Sequence, residues 1–179
     1  EIAQCLVGSE MCIRDRYLTG VIMKKIQLTE LLIFIVITEL VGALSGLITG
    51  NAFSYYSELT KPSLSPPSAV FPAVWFFIYA LMGVSAYMIY VSDASDSKKK
   101  FALTLYGLQL FVNFLWSIVF FKFQQMGLSV AVIIILLILI IFMIMIFRKI
   151  SPAAAYINLP YLIWTIFAAY LNIGILVLN

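Results

Sequence analysis

The chain has 179 residues, 64% of them hydrophobic and only 11% charged, with a mean hydropathy of +1.08. That composition excludes an ordinary water-soluble domain. There is no histidine, and the net charge is +3; a haem on an axial histidine, a histidine-based zinc site and Ser-His or Cys-His catalysis are therefore excluded.

Residues 1–22, "EIAQCLVGSEMCIRDRYLTGVI", are broken by Arg14, Asp15 and Arg16 and hold no apolar core of signal-peptide length. They read as a non-native or unstructured extension ahead of Met23, with the membrane domain running over residues 23–179. Both cysteines, Cys5 and Cys12, fall in this extension and support no disulfide or thiolate site in the domain.

Crossing about 30 Å of hydrocarbon takes about 20 helical residues. Five runs qualify: Leu28 to Thr49, Ala69 to Val91, Phe101 to Phe123, Leu128 to Phe147 and Ala153 to Leu178. They are too long for barrel strands, and backbone polar groups in lipid must be satisfied within the segment. The predicted fold class is all-α, a five-transmembrane-helix bundle.

The first span carries Glu39, an ionisable group costing about 2.5 to 3.5 kcal/mol if charged at a bilayer centre. It must face inward and be protonated or find a donor; a hydrogen-bonded neutral carboxyl is the simpler reading and a proton-coupled step the other. Gly42, Gly46 and Gly50 recur every four residues, a small-residue pattern compatible with a homodimer face or with close packing inside the bundle. The following loop stacks Pro62, Pro66 and Pro67 against the second span, which Pro72 enters.

In the second span Trp75, Tyr79, Gly83 and Tyr87 repeat every four residues and share one face. In the third, Tyr106, Gln109, Asn113, Trp116 and Ser117 do the same. The fourth, "VAVIIILLILIIFMIMIF" from Val130, has no polar side chain and is expected to be lipid-facing scaffold. In the fifth, Tyr161, Trp164, Thr165, Ala168 and Asn172 share a face, and Pro160 cannot donate to the carbonyl of Tyr156, which predicts a kink. Three polar, aromatic faces are thus expected to enclose a chamber between spans two, three and five. Such groups either hydrogen-bond across helices or contact a ligand.

Lys24, Lys25, Lys98, Lys99, Lys100, Arg148 and Lys149 fall on one side of a five-pass chain and Lys61 and Lys122 on the other. The positive-inside rule puts the amino terminus in the cytoplasm and the carboxyl terminus outside, as expected for a prokaryotic cytoplasmic membrane. The lysine run at 98–100 is too short to indicate a nucleic-acid partner.

Four stretches carry a family resemblance: "LTKPSLSPPSAVFPAVWFFIYALMG" from Leu59, "LYGLQLFVNFLWSIVFF" from Leu105, "SPAAAYINLPYLIWTIFAAYLN" from Ser151, and the terminal Asn179. Over residues 23–179 the chain resembles the TspO/MBR family, the translocator proteins and tryptophan-rich sensory proteins. The resemblance implies a pocket open toward the first loop that binds tetrapyrroles such as protoporphyrin, or other flat hydrophobic molecules, often in a dimer, with a porphyrin as ligand and no obligatory cofactor. Trp75 and Trp164 match pocket-facing tryptophans and are expected to flank the ring; Tyr56, Tyr79, Asn113, Trp116 and Ala168 match other lining positions. Gln109 and Tyr161 join this set on their helix faces, Lys61 is expected to meet ligand carboxylates, and residues 61–67 would form a stiff polyproline-like lid. Leu64 and Tyr55 stand where the family commonly has tryptophan, and no basic residue follows Tyr170 as the family's animal sterol pattern requires. Sensing or handling a tetrapyrrole is the leading function. A light-dependent porphyrin-degrading enzyme is the alternative, without any acid, base or nucleophile constellation behind it, and lipid or porphyrin transport is the third.

Overall fold

A computed structural model describes residues 27–50 and 52–179; the expectation for residues 1–22 and the placement of Lys24 and Lys25 lie outside them. The described residues fold into helices α1 (Leu28–Thr49), α2 (Ala52–Glu58), α3 (Val70–Tyr90), α4 (Asp96–Ser117), α5 (Met126–Ile150), α6 (Pro152–Ile157) and α7 (Leu159–Leu178), with a π-helical turn, Ile118–Lys122, extending α4. Among the described residues five spans are long and apolar enough to cross a membrane: α1, α3, α4 with its π turn, α5, and α6 with α7. The protein is a multi-pass membrane helix bundle.

Span one packs chiefly on span two. Gly83 makes this possible, since a Cβ there would lie 2.7 Å from the Ile35 Cα; two backbones approach where one side chain is missing. The outer face of α1, including Leu32, Ile33, Val36, Ile37, Leu40, Leu44 and Leu47, is exposed to the surroundings a bilayer would fill, whereas Thr38, Ser45 and Thr49 point inward and are buried.

Span three begins at Asp96, earlier than the apolar run suggested, because the charged segment Asp96 to Lys100 continues the helix beyond the hydrophobic zone, with Lys99 paired to Asp96 at 3.4 Å. Span four corrects an expectation. Ile133, Leu136, Ile140, Met143 and Phe147 are fully buried at spacings of three and four, a seam that packs against spans three and five. An all-apolar helix hides this seam in sequence, because in lipid the packing face and the exposed face have the same chemistry.

Span five breaks at Asn158. Pro160 sits in the first turn of α7, where a missing N–H leaves nothing unpaired. The carbonyl of Ala154, freed at the break, accepts from Ser85 Oγ and Asn158 Nδ2, both at 2.8 Å, and Asn158 Nδ2 also donates to Ser85 Oγ at 2.5 Å. The kink is thereby tied to span two.

Candidate functional site

The three polar faces do meet. Tyr79 Oη donates to Asn113 Oδ1 at 2.7 Å, Asn113 Nδ2 donates to Tyr161 Oη at 3.1 Å, and Tyr161 Oη donates to Gln109 Oε1 at 2.8 Å. A second relay joins Trp116 Nε1 to Asn172 Oδ1 at 3.0 Å and Asn172 Nδ2 to Ser129 Oγ at 2.9 Å. Gln109, Asn113, Tyr161 and Asn172 are all buried, so these groups fill the space between spans two, three and five with their own contacts.

The cavity lies elsewhere, which corrects the expected chamber. A void of about 360 Å³ opens on the other side of Trp75, lined by Glu39, Gly42, Ala43, Ser45, Gly46, Thr49 and Gly50 at span one, Phe71, Trp75 and Tyr79 of span two, Trp116, Ser117 and Phe121 of span three, Tyr56 of α2 and Ser68 of the loop. No residue of span five is among this described lining. The physical reason is the missing bulk on span one: an added Cβ meets nothing within 4 Å at Gly46 or Gly50. Gly42 is the exception on that wall, where the Tyr79 ring lies directly against it. The spacing of the three glycines was visible in the sequence; that it carves a wall, with Glu39 one turn before, was not drawn from it.

The aromatic side is continuous. Trp75 stands 5.5 Å from Tyr79, 6.3 Å from Trp116 and 6.3 Å from Tyr161, ring centre to ring centre. Trp116 stacks on Phe120 at 5.9 Å. The π turn of span three begins just past Trp116, with Phe123 N donating to Ile118 O at 3.0 Å. Its extra residue per turn resets the helix face there, burying Phe120 while Phe121 lines the void.

Of the ten residues singled out in the sequence, Tyr56, Trp75, Tyr79 and Trp116 line the cavity. Gln109, Asn113 and Tyr161 lie in the relay beside it. Ala168 is buried in the cluster that contains Tyr56 and Trp116. Trp164 packs on Phe71 at 5.8 Å and reaches the lining through that ring, with its Nε1 buried and unpartnered. Lys61 is at the loop, where its Nζ donates to the carbonyls of Ser57 and Leu59 at 3.0 and 3.2 Å and lies 5.2 Å from the Tyr56 ring centre. Burial pushes the Tyr56 phenol above its usual range, so it stays a neutral donor.

The first loop departs from an uninterrupted polyproline rod. Leu64 has a φ of 70°, a turn that Ser65 Oγ closes by donating to Pro62 O at 2.8 Å. The loop is fixed to span five instead: Tyr170 Oη donates to Ser63 O at 2.8 Å, and Pro62 rests on Gly174. Among the described residues no group of three or more His, Cys, Asp or Glu could hold a metal ion.

Residues 34–178 match the TspO/MBR family. The chain is 35% identical over 126 residues to the translocator protein of Ovis aries, covering 70% of this chain and 75% of that protein. It is 32% identical over 125 residues to the tryptophan-rich protein TspO of Chlorobaculum tepidum, covering 70% and 79%. It is 33% identical over 125 residues to the tryptophan-rich sensory protein of Cereibacter sphaeroides, covering 70% and 77%.

Proposed function

The chain belongs to the TspO/MBR family, and from that premise we propose that it binds a tetrapyrrole of the protoporphyrin kind, or another flat hydrophobic molecule, in the cavity beneath its first loop, and so senses or handles it. The observation that carries this reading is the cavity's construction: about 360 Å³, with Trp75, Tyr79 and Trp116 on its aromatic side and, from span one, the small residues Gly42, Ala43, Ser45, Gly46 and Gly50 beside Glu39 and Thr49. Aromatic faces on one side and mostly small residues on the other leave a slot suited to a planar ring. The slot takes the ring, while carboxylates that remain at the mouth meet Lys61; its position 5.2 Å from the ring centre of Tyr56, a lining residue, supports that role. With the loop side outward, as the lysine and arginine distribution favours, the ligand enters from outside the membrane or from its outer leaflet.

The test is a titration of purified protein with protoporphyrin in the dark and in light, read by tryptophan fluorescence. Trp75→Phe weakens dark binding by about tenfold, the equivalent of about 1.4 kcal/mol, and Trp164→Phe, separated from the void by Phe71, weakens it less. Equal, unchanged affinity in wild type and Trp75→Phe rejects the site. Contact among the rings of Trp75, Trp116, Tyr79 and Tyr161 favours light-dependent breakdown as the second reading; it requires a product that forms only under illumination and disappears with Trp75.

A further inference from the structure

Glu39 is the one acidic side chain on the described cavity wall, and no lysine or arginine shares that wall. Its Oε1 is buried and has no hydrogen-bond partner. Two hydroxyls of the same lining are committed elsewhere: Tyr79 donates to Asn113, and Thr49 to the carbonyl of Gly46 at 3.0 Å. A carboxyl oxygen left unpaired in an apolar bundle is costly, and within a membrane span an ionisable group marks a site. The residue that carries this unpaired oxygen lines the cavity.

What stands across the void decides the chemistry of a partner for that oxygen. Trp75, Tyr79 and Trp116 form a connected aromatic surface, with Trp75 5.5 Å from Tyr79 and 6.3 Å from Trp116. Aromatic faces attract cations through the ring quadrupole, and a carboxylate without a counter-ion attracts the same charge. An anion would meet the opposite: two repelling surfaces, with no cationic side chain on the described lining to compensate. We propose that this cavity selects flat aromatic ligands whose buried end carries a protonated or N–H nitrogen, held by Glu39, and rejects those that would bury a carboxylate. The proposal rests on the reading of the cavity as a ligand site. A tetrapyrrole obeys the same rule with its propionates at the mouth.

A matched pair of three-ring probes tests it: 9-aminoacridine, a cation at neutral pH, and anthracene-9-carboxylate, an anion of the same shape. Both are measured by equilibrium dialysis against the full chain in an uncharged detergent, beside protoporphyrin. The wild type favours the cation by about tenfold or more, Glu39→Gln reduces the preference below about threefold by weakening the cation alone, and Glu39→Asp keeps it. Gly46→Leu, which fills the void from an open position on its wall, removes binding of the cation. No preference in the wild type, a preference for the anion, a preference untouched by Glu39→Gln, or cation binding that survives Gly46→Leu overturns the proposal. If protoporphyrin binds and neither probe does, the Glu39 rule fails and the tetrapyrrole reading stands; if the cation is preferred and protoporphyrin does not bind, the reverse holds.

Discussion

Asn179 holds Thr60 by both ends of its side-chain amide: Oδ1 accepts from Thr60 N at 3.0 Å and Nδ2 donates to Thr60 O at 3.0 Å. The same Nδ2 also donates to Ile175 O at 2.9 Å, so one residue caps span five and pins the start of the proline loop. The pair mimics one rung of a β-ladder between elements 119 positions apart in the chain. This contact, with Tyr170 on Ser63, ties the first loop to span five.

Asn179→Ala therefore loosens the loop without disturbing the bundle. Both bonds to Thr60 are exposed, and exposed hydrogen bonds contribute at the low end of about 0.5–1.5 kcal/mol each. Amide exchange at Thr60 speeds by roughly three- to tenfold, and ligand dissociation speeds with it, while the thermal midpoint in detergent moves little. Unchanged Thr60 exchange would show that the loop is held by other contacts.

Gly83→Ala strikes the crossing of spans one and two. Its new Cβ would sit 2.7 Å from the Ile35 Cα and 3.0 Å from the Phe34 carbonyl oxygen, and backbone atoms of a packed helix cannot step aside as a side chain can. Overpacking of this kind costs about 1–3 kcal/mol. Gly107→Ala, where a Cβ meets nothing within 4 Å, is the control and leaves stability unchanged or slightly raised through better helix propensity. Thermal unfolding of the two variants side by side reads the difference; equal midpoints contradict the close crossing.

Gly42→Ala acts on the site through a side chain. The added methyl collides with the Tyr79 ring, which must swing away and release Asn113, its acceptor at 2.7 Å. The effect is mixed, with stability falling by about 1–2 kcal/mol and ligand affinity changing because Tyr79 lines the void. Tyr79→Phe placed on the Gly42→Ala background separates the two terms: the hydrogen bond is then already absent, and the double variant loses less than the sum of the single ones. Strict additivity would mean that Gly42 and Tyr79 do not communicate.

The sequence disclosed the parts of this molecule whose chemistry is unlike their surroundings. Five runs of about 20 apolar residues have no alternative in a bilayer, and polar groups such as Gln109, Asn113 and Asn172 could only face inward. The seam of span four stayed hidden because Ile133 and Ile134 are chemically alike although one is buried and the other exposed. Helix α2 was missed because seven residues of mixed polarity carry no usable period. The cavity was misplaced for a related reason. Its position depends on where side chains are absent, at Gly46 and Gly50, rather than on those that are present, and Asn113, Gln109 and Tyr161 hydrogen-bond among themselves.

That distinction between a filled polar junction and an empty slot yields a separable pair of variants. Tyr161 is buried at the centre of the relay, accepting from Asn113 and donating to Gln109, so Tyr161→Phe strands two amide groups at once. Gln109 already has its Nε2 unpartnered, leaving it little capacity to re-pair. Interhelical hydrogen bonds inside membranes average about 0.6 kcal/mol, but an unsatisfied buried group adds about 1–3 kcal/mol, and the loss for Tyr161→Phe is about 2 kcal/mol on that scale. Tyr161 lies outside the described lining, and ligand affinity should stay within about threefold, less than 0.7 kcal/mol. Trp75→Phe does the reverse: the ring edge bordering the slot shrinks, affinity falls, and stability changes less because the relay is untouched. Measuring unfolding and binding for both variants places each on one axis. A Tyr161→Phe protein that is fully stable yet blind to ligand would move the site back between spans two, three and five.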